Sequence, residues 1–567
     1  MRPRLGAKAY NRTDRTILDW TINLAQLPRV FTRDATGLVR NISWFDGLFM
    51  NMGTSGPVGY AVAYTIAWVP AAFPGANLVV TILLGTLLSF SIVATYGLFS
   101  AAMPRSGGDY VFVSRTFNGS LGFLVNWTLW LWTMMWFATA TNWLTTFTIV
   151  PALANIGFVT QNSSLISLSS TLSSPVWVFA IGFVAILILS AAAIKGTKYL
   201  MGIQRYIVYA AVIGSFIAIG VLLTHTRTDF VTAFNNYMNQ YTGSKDSYSW
   251  MISTAAQQGF TSKGFTIADT LLALPFGYFA FGWAFASTYV GGELKGASSV
   301  KRQLGSTVGA CAIIGLFTVT LVGLLENTVG REFFSSASYI FLNSPQSLNV
   351  PIPSYGMFNL LVSILSGNAI VATLINVLFI AWGLLALPVL FMWESRSVLA
   401  WSFDRVVPTR LSDVSDKYHT PVNSLILQTV LGIIFLAIYT FLPYFFSLFT
   451  LSTLAEMIFA LIPVGFAAMA FPYLKKEFYS KSPSNLNIGG IPIIGITGAV
   501  MVLFLGYCAV VMLATSQYGT GLLVSVVPFT VAAAFSLGGL IIYFTSKWYH
   551  KAHGLDITKA FEEIPPE

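Results

Sequence analysis

An all-α polytopic membrane protein with twelve transmembrane helices is the fold class this sequence predicts, on three observations. The 567 residues are 55% hydrophobic and only 9% charged, too few charges to cover a soluble protein of that size; mean hydropathy is +0.71. Apolar stretches recur along the chain and reach the ~20 residues that cross a bilayer. Finally, the basic residues cluster on one side of those stretches.

Taken in order, the spans fall at about 45–71, 77–101, 119–151, 175–194 and 199–223, then 268–291, 304–325, 369–393, 422–442 and 446–474. The last two are at about 491–515 and 521–544. An even number puts both termini on one side. That side carries 26 of the 30 Lys and Arg, leaving Arg227, Lys245, Lys263 and Arg331 opposite. The bias predicts cytoplasmic termini and a cytoplasmic (plasma) membrane location. The formal charge of +9 therefore needs no nucleic acid to explain it. The first apolar run follows a long, Arg-rich polar segment, so no secretory signal peptide is expected.

One membrane domain follows, with a polar tail over 1–42, a ten-helix core over 43–475, helices eleven and twelve over 476–546, and a second tail over 547–567. The longest external stretches, 224–267 and 326–363, are open between short helices and plain loop. Cys311 and Cys508 each fall inside a span without metal or redox spacing and read as core. His550 and His553 read as part of a solvated tail. No zinc, haem, phosphate-loop or nucleophile signature appears, so neither an enzyme nor a cofactor or metal is expected. A channel is disfavoured because no filter motif repeats.

Two spans are interrupted. "MGTSGPVGY", residues 52–60, and "FGYFAFGWAF", residues 276–285 after Pro275, put poor helix formers where hydrocarbon penalises every unpaired backbone group. The alternative is close packing of small residues. Five spans separate the interruptions, however, and paired broken spans point to a transporter of inverted repeats, here about 43–223 and 268–475. Their free backbone groups would line a substrate site, amides facing an anion and carbonyls an ammonium.

Three further stretches carry a family resemblance: "MPRSGGDYVFVSR" at 103–115, "FAFGWAFASTYVGGELK" at 279–295, and "SRSVLAWSFDRVVPTRLSDVSDKYHTPVNSL" at 395–425. They resemble the Pro-x-x-Gly-Gly-x-Tyr loop, the span-six break leading to a glutamate (here Glu293), and the Asp-x-x-x-Pro and Thr-Pro-Val elements of the amino acid–polyamine–organocation family of secondary transporters. The resemblance runs from about 47 to 476, with spans eleven and twelve fitting by position. It implies that the amides of Ser55 and Gly56 hold a substrate carboxylate, and that the carbonyls of Met52, Tyr278 and Phe281 face an α-ammonium. It also implies Thr54 and Gly282 in the substrate site, Gly53, Pro57 and Gly277 in the hinge, and Tyr278 as an aromatic gate. The chain departs from the pattern at Thr54, which replaces the first glycine of Gly-x-Gly, and at Pro57; the proline usual after the glutamate is missing in "ELKGAS".

Trp132, Trp136 and Trp143 recur at helical spacing in span three and are candidates to wall a side-chain pocket. No acid falls within span three or within 369–393, which argues against a cationic side chain and for a neutral, apolar or aromatic amino acid. The stretch "FIAWGLLALPVLF" at 379–391 has no hydroxyl to ligate sodium, and Ala211 stands where some proton-coupled members have a lysine. Proton symport and exchange stay open. Glu456, in "LSTLAEMIFALIP", is the proton-coupling candidate, against a structural role. The expected partners are a small amino acid and the bilayer. A transporter-like nutrient sensor and a polyamine or cationic amino acid exchanger are the alternatives.

Overall fold

The computed structural model describes residues 37–55, 68–344, 357–442, 453–518 and 522–563, the last stretch with side chains from 529. Among the described residues ten helices are long and apolar enough to cross a membrane. The two predicted spans without such a helix are the interrupted ones.

The short helix α1 (Trp44–Thr54) starts at a capping box of Ser43 and Asp46, and Arg205 fixes the Asp46 carboxylate at 2.6 Å. It stops at Ser55; Gly56 and Pro57 lie outside the described residues. Helix α2 (Leu78–Ala102) is followed by α3 (Asp109–Thr116), a buried connector entered through Gly107 at φ +105° and Gly108 at φ +50°. A side chain on Gly107 would meet the Ala400 Cβ at 2.5 Å, so this turn needs glycine on two counts.

Helix α4 (Gly119–Thr160) is longer than predicted, because it passes through a π-turn at Leu144–Ile149 instead of ending near Pro151. Proline has no N–H to donate, and a widened turn absorbs the missing bond. Helices α5 (Pro175–Lys195) and α6 (Thr197–Thr224) follow as predicted. The stretch 224–267 contains the helices Arg227–Thr242 and Ser247–Gln257, and the described part of 326–363 contains Arg331–Asn343 and the start of Met357–Ser366, so both carry short helices.

Apolar helix α7 (Ile267–Phe281) ends in mid-span and gives way to short turns through Glu293. Helix α8 (Val300–Val329) is regular. Helix α9 (Ala369–Phe403) runs ten residues beyond the expected end, and the correction matters: Glu394 lies inside it and is fully buried. The helix therefore carries one acid, Glu394, just past the acid-free stretch 369–393. Helices α10 (Val422–Phe441), α11 (Thr453–Leu474), α12 (Ile493–Ala514) and α13 (Leu522–Ala552) complete the chain. Glu456 opens a second π-turn, Met457–Leu461, again just before a proline, Pro463.

Helix α2 is the central post, packing on α7, α8 and α12, while α4 packs on α9, α10 and α13. Where α2 crosses α7, a Cβ on Gly85 would stand 2.5 Å from the Gly277 Cα, so the two backbones touch. The C-terminal segment is not wholly solvated, as predicted of the tail. Ile557, Ala560 and Phe561 are buried, and Arg115 donates to the Ala560 carbonyl at 3.3 Å.

Candidate substrate site between the two interrupted helices

The ends of α1 and α7 are fastened to each other. The Ser55 hydroxyl donates to the Phe281 carbonyl at 3.0 Å and the Thr54 hydroxyl to the Trp283 carbonyl at 2.8 Å. One turn back, the Asn51 side chain donates to the Ser287 hydroxyl at 2.9 Å and accepts the Ser287 N–H at 2.8 Å. The Ser55 N–H donates to the Asn51 carbonyl at 3.2 Å, and the Gly282 N–H to the Tyr278 carbonyl at 2.8 Å. Hydroxyl side chains satisfy backbone groups that the interruptions would otherwise leave bare.

Beside this junction lies a cavity of about 70 Å³. Gly53 and Thr54 form its wall from α1, and Thr133, Trp136, Ala140 and Trp143 its wall from α4. Phe279 and Trp283 close it at the end of α7, and Ala386, Leu390 and Trp393 line it from α9. Trp136 meets Trp143 edge-on at 5.9 Å and Phe279 at 5.1 Å. The π-turn of α4 begins immediately after Trp143, a common placement for such turns at functional sites.

The structure thus brings together Gly53, Thr54, Trp136 and Trp143 from the expected set. Met52, Ser55, Phe281 and Gly282 stand at the junction behind the wall. Trp132 is directed elsewhere, donating to the Ser536 hydroxyl on α13 at 3.2 Å. Tyr278 is fully buried and within electrostatic range of Glu456, while its neighbour Phe279 lines the cavity. Gly277 serves the α2 crossing. Glu456 is fully buried on α11, and among the described residues neither of its carboxyl oxygens has a hydrogen-bond partner. Sequence reasoning missed Phe279, Trp283, Leu390 and Trp393. Phe279 and Trp283 both lie within the interruption at 276–285, a position that could have flagged them.

Below the cavity, Trp393 stacks on Tyr289 at 4.2 Å, and Tyr96 on Phe285 at 3.8 Å. Tyr289 and Tyr96 donate to one oxygen of Asp109 at 2.8 and 3.1 Å, and Asn126 to the other at 2.6 Å. Burial pushes the Asp109 carboxyl up to about 6, against the pull of those three donors. Glu293 receives Arg396 through two bonds of 2.7 and 3.0 Å, and Thr197 adds a third at 2.8 Å. Arg115 pairs with Asp404 at 2.8 Å. All three stretches that carry the family resemblance therefore meet in this layer. Asp109 and Arg115 come from the first, Tyr289 and Glu293 from the second, and Arg396 and Asp404 from the third.

A model of the amino acid permease family matches residues 42–535, from the start of α1 into α13. The chain belongs to the amino acid permease family. No curated protein matches it. The permease's match extends beyond the quoted motifs to α12, which packs on α2 and α11.

Proposed function

We propose that this permease moves neutral amino acids across the cytoplasmic membrane by alternating access, through proton symport or exchange. The observation that carries the reading is the cavity at the meeting point of two interrupted helices, closed on one side by a buried polar layer. Half-helix ends at mid-membrane offer oriented backbone groups to a zwitterion without exposing them to lipid. In this reading the core over 43–475 is two inverted repeats, about 43–223 and 268–475, with α12 and α13 added, and the basic-rich face is cytoplasmic. In this reading the substrate carboxylate is held by Gly56 rather than Ser55, whose N–H already bonds the Asn51 carbonyl at 3.2 Å. Glu456 carries the coupling proton; like Glu394, it is an acid buried in a span whose carboxyl oxygens have no hydrogen-bond partner among the described residues, which is costly to keep for structure alone.

The test is uptake of radiolabelled amino acids by purified protein in liposomes, with proton or sodium gradients imposed in turn. Neutral amino acids should accumulate under an inward proton gradient or exchange against internal substrate, and replacing sodium with potassium should change nothing. Glu456→Gln should lose proton-driven accumulation yet still exchange labelled for unlabelled substrate. If no amino acid enters under any gradient, the carrier reading falls and a sensor takes its place.

A further inference from the structure

The walls of the cavity say which nitrogen it receives. Its described lining includes four indoles, Trp136, Trp143, Trp283 and Trp393, with Phe279 between them. Trp136 and Trp143 stand at 90° to each other, and Trp283 and Trp393 at 47° with centroids 6.5 Å apart. Rings tilted in this way can surround a rounded cationic group on several sides.

The hydrogen-bond balance points the same way. A primary ammonium brings three N–H donors, and burying a donor without an acceptor is costly. Apart from backbone, the described wall offers only the hydroxyls of Thr54 and Thr133 as oxygen acceptors. Three carbonyls at the end of α7 already accept a hydrogen bond: Phe281 from Ser55 and Cys311, Trp283 from Thr54, and Tyr278 from the Gly282 N–H. No carboxylate lines the cavity among the described residues. A fully methylated ammonium has no N–H to satisfy. It keeps its positive charge, and the faces of tryptophan attract that charge most strongly where water is excluded.

We propose that this cavity is a tryptophan box for a trimethylammonium head group, so that among neutral amino acids the permease prefers fully N-methylated ones of the betaine type. The proposal rests on the reading that the cavity is the substrate site, and it deepens that reading by naming the substrate's nitrogen.

The experiment measures binding to the purified full chain by quenching of tryptophan fluorescence, and uptake in liposomes, for glycine, N-methylglycine, N,N-dimethylglycine and glycine betaine. Apparent affinity should rise with each methyl, by roughly tenfold or more from glycine to betaine. Trp136→Leu and, separately, Trp283→Leu should each weaken betaine binding about tenfold, with Trp136→Phe in between. Both tryptophans are only partly buried, so either variant can be checked for unchanged thermal unfolding before binding is read. Choline, which lacks the carboxylate, reports on the head group alone, and measurable choline binding lost in Trp136→Leu supports the box. Glycine bound as tightly as betaine, or betaine binding unchanged in both Leu variants, overturns it. Uptake of primary amino acids without betaine would sink the box and leave the carrier reading standing. Betaine binding without uptake of any compound would do the reverse.

Discussion

Between Trp393 and Arg396, less than one turn of α9, the protein passes from an aromatic cavity to a lattice of buried charges. Above that line the contacts are ring on ring, with centroid separations of 5.1 to 6.5 Å and mixed angles. Each such ring pair adds only about 0.5–1.5 kcal/mol beyond its buried area, so the walls can shift at small cost. Below it, Glu293 and Arg396 hold each other at 2.7 Å with side chains 2% exposed, and Arg115 and Asp404 do the same at 2.8 Å. Paired charges in a dry interior have few good geometries, and each is expensive to leave half-made. The contrast is between a cavity with adjustable walls and a floor with one favoured arrangement.

The comparison can be broken most directly at Arg396. Arg396→Met leaves the Glu293 carboxylate buried without its partner, and thermal unfolding in detergent should show a loss on the order of 3–5 kcal/mol. Adding Glu293→Gln should recover most of it. A loss in the single variant no larger than that at an exposed pair would show the floor is not held by its charges.

Asp109 gives a smaller effect with a defined sign. It lies on the connector between α2 and α4, outside the spanning helices, and its carboxyl is raised from 3.8 to about 6, first by burial. The folded state therefore keeps a proton that the unfolded state releases, so stability should fall as pH rises from about 4 to about 6 and then level off. At about 1.4 kcal/mol per pH unit the decline is roughly 3 kcal/mol. Asp109→Asn should remove that slope from a pH series of unfolding midpoints; a slope that persists would assign it to another group.

The smallest effect belongs to an exposed pair on the same basic-rich side. Lys481 pairs with Glu477 at 2.8 Å with side chains 73% and 87% exposed, so Lys481→Cys should leave unfolding unchanged. In a background without Cys311 and Cys508 it also reads orientation. A membrane-impermeant thiol reagent applied outside cells should miss Lys481→Cys and label Lys245→Cys. The opposite pattern would invert the protein in the membrane.

How much was legible varies with the residue. The helices and the two interruptions follow from local facts, for span length is set by bilayer thickness and a Gly/Pro cluster weakens a helix wherever it occurs. Motif residues Asp109, Glu293 and Asp404 could be quoted, but nothing in the linear order says they close one layer. The end of α9 was misread because hydropathy drops at Glu394, and only the partners of Arg396 show why the helix continues inside the protein. Trp132 and Trp136 share a face of α4 one turn apart, yet α13 covers the first and the cavity the second. Tyr278 and Phe279 differ by about 100° of helix rotation, which no single-chain pattern fixes. The sequence by itself determined that the chain is a bundle of membrane helices with two interruptions, because those properties reside in single segments. Which ring faces the cavity and which charge meets which partner was decided only by tertiary structure, because rotation, depth and pairing belong to several helices at once.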